Sequence, residues 1–182
     1  MKELSLHILD IAMNSIRADA DILEITIDEN TDKDLLSIKI TDNGCGMDSE
    51  MLKTVTDPFI SSRTTRKVGL GISLFKANAE NCNGSFSIES KLNLGTVVKA
   101  QFQLSHIDRP VLGNIASVIS MLFSSHPDIN IYFGYKKENK YYSIKTQEIK
   151  DELNGISIQN PEVKFLIEEI IESELNNMDI KS

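Results

Sequence analysis

The sequence predicts an α+β two-layer sandwich, a mixed and mostly antiparallel sheet covered by helices on one face, followed by a small C-terminal α+β appendage. Short runs that alternate apolar and polar residues come in consecutive pairs joined by polar turns, as strands with one buried face do. Before and between them stand segments whose apolar residues recur at helical spacing along a single stripe. The chain is 182 residues long, 41% hydrophobic and 25% charged, which suffices for a sound core.

Residues 4–18 read as a helix with the stripe Leu4, Ile8, Ile11, Ala12 and Ile16. Asp10 and Asn14 are neighbours on one face of it, one turn apart. Short polar side chains are poor helix formers, so the pair is either a solvated face or an acid and an amide projecting into a site. Residues 22–28 alternate with Leu23, Ile25 and Ile27 on one side, and residues 36–41 alternate with Leu36, Ile38 and Ile40. The polar segment between them reads as a hairpin loop.

The second strand runs into Asp42-Asn43-Gly44-Cys45-Gly46-Met47. A carboxylate at a strand end accepts hydrogen bonds from a ring amino group, and glycines admit close backbone approach. Asp-Asn-Gly equally suits an ordinary turn. Asp48 is placed to cap a short helix. Asp57-Pro58-Phe59 then leads into a polar, locally basic loop carrying Arg63, Thr64, Thr65, Arg66 and Lys67, which ends in Gly69-Leu70-Gly71. Those glycines precede a helix over 72–81, whose N-terminus is a ready anion site, or else mark a plain loop–helix junction. Strands are predicted over 85–90 and 96–104. Gly95-Thr96 therefore opens a strand much as Asp42 closes one, and pairing of neighbouring strands brings the two together.

Net charge is −8, which argues against nonspecific binding of nucleic acid or anionic membrane. No apolar run approaches a membrane span of about 20 residues, and residues 1–6 lack a signal-peptide core. Cys45 and Cys82 stand in no metal spacing and suit a reduced, cytoplasmic setting.

Together these motifs resemble the ATP-binding domain shared by DNA gyrase, the heat-shock chaperones, histidine kinases and the mismatch-repair ATPases, the GHKL superfamily. Asp10-x-x-x-Asn14 is similar to its N-box. Asp42-x-Gly44-x-Gly46, Gly69-Leu70-Gly71 and Gly95-Thr96 match its three glycine boxes, in order across residues 1–105. The resemblance implies that Asp42 accepts the adenine amino group, with Thr96 supporting the ring through a water and Gly44 and Gly46 packing against it. It implies Mg²⁺ on Asn14 and phosphate oxygens cradled by Gly69, Leu70, Gly71 and the helix that follows. Arg63, Thr64, Thr65, Arg66 and Lys67 fall in the family's ATP lid.

One departure matters: where hydrolytic members place a glutamate base, this chain has Asp10, shorter by one methylene. The lead into the lid looks most like histidine kinases, yet nine residues precede Asp10, too few for a helical pair carrying a phosphoacceptor histidine. His7 reads as a packing residue. The resemblance therefore implies a stand-alone, histidine-kinase-like protein of a bacterium that transfers phosphate to, or regulates, a protein partner in trans. A slow ATPase switch and a non-catalytic nucleotide-binding module are the alternatives.

Residues 106–182 lie outside the resemblance and are expected to form the appendage. A helix over 111–123 and a hairpin over 129–135 and 141–145 are predicted, then a short helix capped by Thr146 and ended by Gly155. A last helix is predicted from Pro161 to about Leu175, announced by Asn160-Pro161. Its stripe of Val163, Leu166, Ile167, Ile170, Ile171 and Leu175 is expected to pack on its own hairpin, or alternatively to form a homodimer or partner surface.

Overall fold

A computed structural model of the chain describes residues 3–55 and 71–178. In chain order the elements are α1 (Leu4–Arg17), β1 (Ile22–Asn30), β2 (Leu35–Asp42), α2 (Ser49–Val55), α3 (Gly71–Asn81), β3 (Ser85–Lys91), β4 (Gly95–Gln103), α4 (Ile115–Ser125), β5 (Asn130–Lys137), β6 (Lys140–Lys145), α5 (Thr146–Glu152) and α6 (Pro161–Asn177). The strands form one sheet in the order β3-β4-β2-β1-β5-β6. Neighbours are antiparallel except β1 and β5, which run parallel with Ile25 opposite Phe133.

Period-two alternation explains which face is closed. Leu23, Ile25 and Ile27 on β1, Leu36, Ile38 and Ile40 on β2, and Val98, Ala100 and Phe102 on β4 are all buried. They meet Leu4, Ile8, Ile11 and Ala12 of α1, and Ile72, Phe75 and Ala79 of α3, in one continuous core. Each large side chain there contributes about 2–3 kcal/mol by leaving water. On the other face Ser87, Lys99, Lys39 and Ser143 stay exposed. The helices thus cover one side, as the sequence predicts.

The segment after residue 105 builds onto the same sheet. Ile131, Phe133 and Tyr135 of β5 enter the core already described, as do Ile119, Leu122 and Phe123 of α4. Three local expectations need correction here. The helix predicted from Val111 begins at Ile115, where the Asn114 side chain accepts from Ser117 N at 2.8 Å. Residues 111 and 112 instead serve α1, which has no side-chain cap: Leu4 N donates to Val111 O at 2.9 Å and Ser5 N to Leu112 O at 2.8 Å. A distant loop thereby satisfies N–H groups that every helix start leaves open.

Thr146 does not cap α5. Its hydroxyl is buried and turns to β5, accepting from Ile131 N at 3.1 Å. The last helix starts as expected, with Asn160 accepting from Glu162 N at 2.9 Å and Pro161 in the first turn. Its main packing partner is α4 rather than its own hairpin. Val163, Ile167, Ile171 and Leu175 are buried against it, whereas Leu166 and Ile170 remain exposed.

Candidate nucleotide site

Asp42 is the last residue of β2 and lies opposite Thr96 near the start of β4. This is the juxtaposition that the two strand ends predict. The carboxylate is held from three directions. Oδ1 accepts from Gly44 N at 3.0 Å and from Thr96 N at 3.1 Å. Oδ2 accepts from the Ser15 hydroxyl of α1 at 2.5 Å, within the range of charge-assisted O–H···O⁻ bonds. The Thr96 hydroxyl shares a 2.9 Å hydrogen bond with Ser90 Oγ, which also accepts from Met47 N at 2.8 Å. A polar chain therefore joins β3, β4 and the loop after β2.

The glycines of that loop are demanded first by the protein's own backbone. Gly46 has φ +65°, and a Cβ there would stand 2.1 Å from Lys91 O, a position no side chain tolerates. Gly44 is buried against Ala18, whose carbonyl accepts from Cys45 N at 2.8 Å. Asn93 N donates to Cys45 O at 2.7 Å. The loop is thus clamped between the end of α1 and the β3–β4 turn, with Asp42 at its root.

Asp10 and Asn14 lie on α1, both partly buried. A Cβ on Gly71 would fall 1.5 Å from Asp10 Oδ2, so the Asp10 carboxylate sits directly against the first residue of α3. Negative charge is favoured at a helix N-terminus, and this one places an acid beside the region expected to receive phosphate. Asn14 Oδ1 accepts from Arg17 Nη1 at 3.1 Å, while its Nδ2 is buried with no partner among the described residues. Next to them His7 is fully buried, its ring stacked on Phe75 at 5.1 Å and Nε2 bonded to Asn78 Nδ2 at 2.8 Å. Burial lowers its pKa from 6.5 to about 4. His7 is a neutral packing residue between α1 and α3.

The structure therefore brings Asp10, Asn14, Gly71, Asp42, Gly44, Gly46 and Thr96 around α1 and the adjoining strand ends. Arg63, Thr64, Thr65, Arg66, Lys67, Gly69 and Leu70 lie outside the described residues. Sequence reasoning missed Ser15, Ser90 and Arg17. Only Arg17 left a local signal, three positions after Asn14 and so on its face. Ser15 and Ser90 find their partners across the fold. Among the described residues no group of three or more His, Cys, Asp or Glu side chains forms a metal cluster. A separate cleft between α4 and α6, lined by Leu112, Asn114, Ile115 and Glu172, contains none of the predicted site residues.

Residues 2–106 match the family described as histidine kinase-, DNA gyrase B- and HSP90-like ATPases. That stretch is more than half of the chain, and the chain belongs to this family. It is a GHKL-type ATP-binding domain, similar to the catalytic domains of histidine kinases. Among its relatives, a putative sensor protein of Shewanella frigidimarina is 36% identical over 85 residues, covering 46% of this chain and 13% of that protein. The sensor histidine kinase YvrG of Bacillus subtilis is 28% identical over 94 residues, 50% of this chain and 16% of that protein. The histidine protein kinase SaeS of Staphylococcus aureus is 32% identical over 81 residues, 42% and 23% respectively. The matched stretches thus span less than a quarter of these relatives. A solved structure of the N-terminal domain of a DNA repair protein shares the fold, with a TM-score of 0.56 at 16% identity over 79% of this chain and 52% of that one.

Proposed function

We propose that the protein binds Mg-ATP in the cleft edged by α1, β2 and β4 and uses it to phosphorylate or regulate a separate protein. The observation that carries this reading is the Asp42 carboxylate, held by three donors yet still partly open to a ligand. A fixed, ionised acceptor suits the exocyclic amino group of adenine, and the Thr96–Ser90 hydroxyl pair supports the ring beside it.

Asn14 fits a magnesium site. Mg²⁺ takes one or two protein oxygens and completes its octahedron with water and phosphate, so a single amide oxygen serves, once Arg17 yields it. A Mg²⁺ there supplies charge neutralisation to the phosphates. The Nδ2 of Asn14, which has no partner among the described residues, is a donor suited to a phosphate oxygen. Gly69, Leu70, Gly71 and the start of α3 form the phosphate cradle in this reading, and Arg63, Thr64, Thr65 and Lys67 close over it. Phosphoryl transfer asks mainly for positioning and charge stabilisation, which these groups provide. Asp10 is the residue placed to accept a proton from the attacking hydroxyl, imidazole or water.

Action on a second protein is supported by the sensor-kinase relatives and by the burial of His7, which removes the histidine nearest the site as a phosphate acceptor. A slow ATPase cycle is the second reading: the Asp10 carboxylate stands one turn from Asn14, but it is shorter by one methylene than the glutamate base of hydrolytic members, which weakens this reading. A cytoplasmic setting fits the two free cysteines, Cys45 and Cys82, and among the described residues no helix is long and apolar enough to cross a membrane.

Calorimetric titration with Mg-ATP tests the site. Wild type should bind, and Asp42→Asn should lose about 100-fold in affinity, since hydrogen bonds to charged groups contribute about 1.5–3 kcal/mol. Equal affinity of the two would overturn the assignment of Asp42. Phosphate release and transfer of γ-label to protein, measured on the same samples, then separate ATPase from phosphotransferase.

A further inference from the structure

Helix α6 carries five glutamates and one lysine. Residues 146–182 as a whole hold nine Asp and Glu against three Lys, so six of the chain's eight excess negative charges lie there. The inner side of α6 serves the fold: Val163, Ile167, Ile171 and Leu175 are buried, with α4 as the main packing partner. The outer side keeps three large apolar residues in the open, Phe165 at 65%, Leu166 at 53% and Ile170 at 43% exposure. The helix is already anchored without them, and contiguous apolar surface rimmed by charge marks a contact site.

Spacing shows what that rim requires of an occupant. Residues three and four apart are neighbours on a helix. Glu162 precedes Phe165 by three positions and Leu166 by four, and Glu169 follows them by four and by three. The two carboxylates therefore flank the same two apolar side chains, one turn to either side. Both glutamates are exposed, and neither has an ion-pair partner among the described residues. Glu162 lies in the first turn, where the helix dipole favours an acid. Glu169, at mid-helix, has no such local reason. Lys164, the one cation of α6, is half-buried and five positions from Glu169, off this face.

We infer that the outer face of α6 is a docking surface for a basic amphipathic helix of a partner protein, whose apolar ridge covers Phe165, Leu166 and Ile170 while its Lys or Arg side chains meet Glu162 and Glu169. An occupant that covers the three apolar groups also takes the two carboxylates out of water, and an unpaired buried charge is strongly disfavoured. The occupant must then bring two cations about two turns apart, roughly seven residues along a helix. A second copy of this chain cannot supply them. Two-fold pairing sets the same face against itself, so glutamate meets glutamate. Anionic membrane and nucleic acid are repelled by the same charges. These residues lie outside the matched segment 2–106, and the surface is independent of the reaction at the nucleotide site.

Fluorescence anisotropy tests this with labelled helical peptides of about 18 residues, titrated with the full-length chain. One peptide carries a leucine ridge with Lys and Arg beside it at heptad spacing. A second replaces those cations by Glu, and a third scrambles the basic peptide so that no ridge forms. The first should bind in the micromolar range and weaken as salt rises, and the other two should bind at least about tenfold more weakly. Leu166→Ser with Ile170→Ser should cost about tenfold in affinity for the basic peptide, and Glu169→Lys at least as much. Glu152→Lys, the same charge change at an exposed position of α5, should leave the affinity within about twofold. All substituted positions are exposed, so the variants should melt as wild type does. Equal binding of the basic and acidic peptides, binding that the α6 variants do not alter, or no binding of any peptide would overturn the inference. A dimer in sedimentation velocity that Leu166→Ser dissociates would overturn it as well and assign the face to a second copy.

Discussion

Helices α1 and α4 pack on the same face of the same sheet, and they handle polar groups in opposite ways. Helix α4 buries Ile115, Val118, Ile119, Leu122 and Phe123. It meets most of its polar needs close at hand: Asn114 caps the first turn, and the buried Ser120 hydroxyl lies 3.0 Å from Ser117 O, with Glu168 Oε2 of α6 farther off at 3.3 Å. Helix α1 buries Ser5, His7 and Ser15 and half-buries Asp10 and Asn14. It sends two of those groups far along the chain, Ser15 to Asp42 and His7 to Asn78. Its own N-terminal N–H groups depend on Val111 and Leu112. Polar groups that close locally support a fold cheaply. Polar groups that need distant partners cost more to order, and one of them, Ser15, is tied to Asp42 of the candidate site.

The sharpest way to break this contrast is to damage the apolar helix alone. Phe123 is fully buried, so Phe123→Ala should cost about 3–5 kcal/mol through lost burial and a cavity, read from urea unfolding. The affinity of the remaining folded molecules for Mg-ATP should stay at the wild-type value. A parallel loss of affinity would mean that the two halves are not separable.

A pH titration probes the polar helix. The folded chain holds His7 neutral down to about pH 4, whereas the unfolded chain protonates it near 6.5. Between those values the unfolded state binds more protons, so stability is at its full value above pH 6.5 and declines as pH falls toward 4. The shift corresponds to about 3 kcal/mol across that window. Chemical denaturation of wild type and His7→Gln over this range should give curves that converge as pH falls, because only wild type carries the penalty. A pH-independent difference would remove His7 as the cause.

The smallest effect is expected at a local cap in the supporting half. Asn160→Ala removes the acceptor for Glu162 N and should cost about 1 kcal/mol, visible as a lower melting temperature with nucleotide binding intact.

Much of the frame is legible in the sequence. Alternation in residues 22–28 and 36–41 marks the central strands because period two is a local property of strand geometry. Asn160-Pro161 marks the start of α6 because capping acts within one turn. The meeting of Asp42 and Thr96 follows from one strand ending, and its neighbour beginning, at the same edge. What misled was local chemistry diverted to a distant partner. Thr146 looks like a cap but bonds β5, and residues 111 and 112 look like a helix start but complete α1. Ser15 and Ser90 were invisible for the same reason, since a lone serine has no periodicity and its role is defined by a partner far along the chain.

The order of motifs, the element types and the carboxylate, amide and glycines proposed for the site were legible in the sequence alone, because each reflects spacing within a few residues. Tertiary structure decided three further things. It placed β5 beside β1 in parallel, so that the C-terminal segment joins the same sheet and the same core. It seated α6 on α4, leaving Leu166 and Ile170 outside. It set the Ser15 hydroxyl against Asp42, 27 residues apart in the chain. Each depends on contacts across long loops, whose closure is favoured by the whole buried core and by no local pattern.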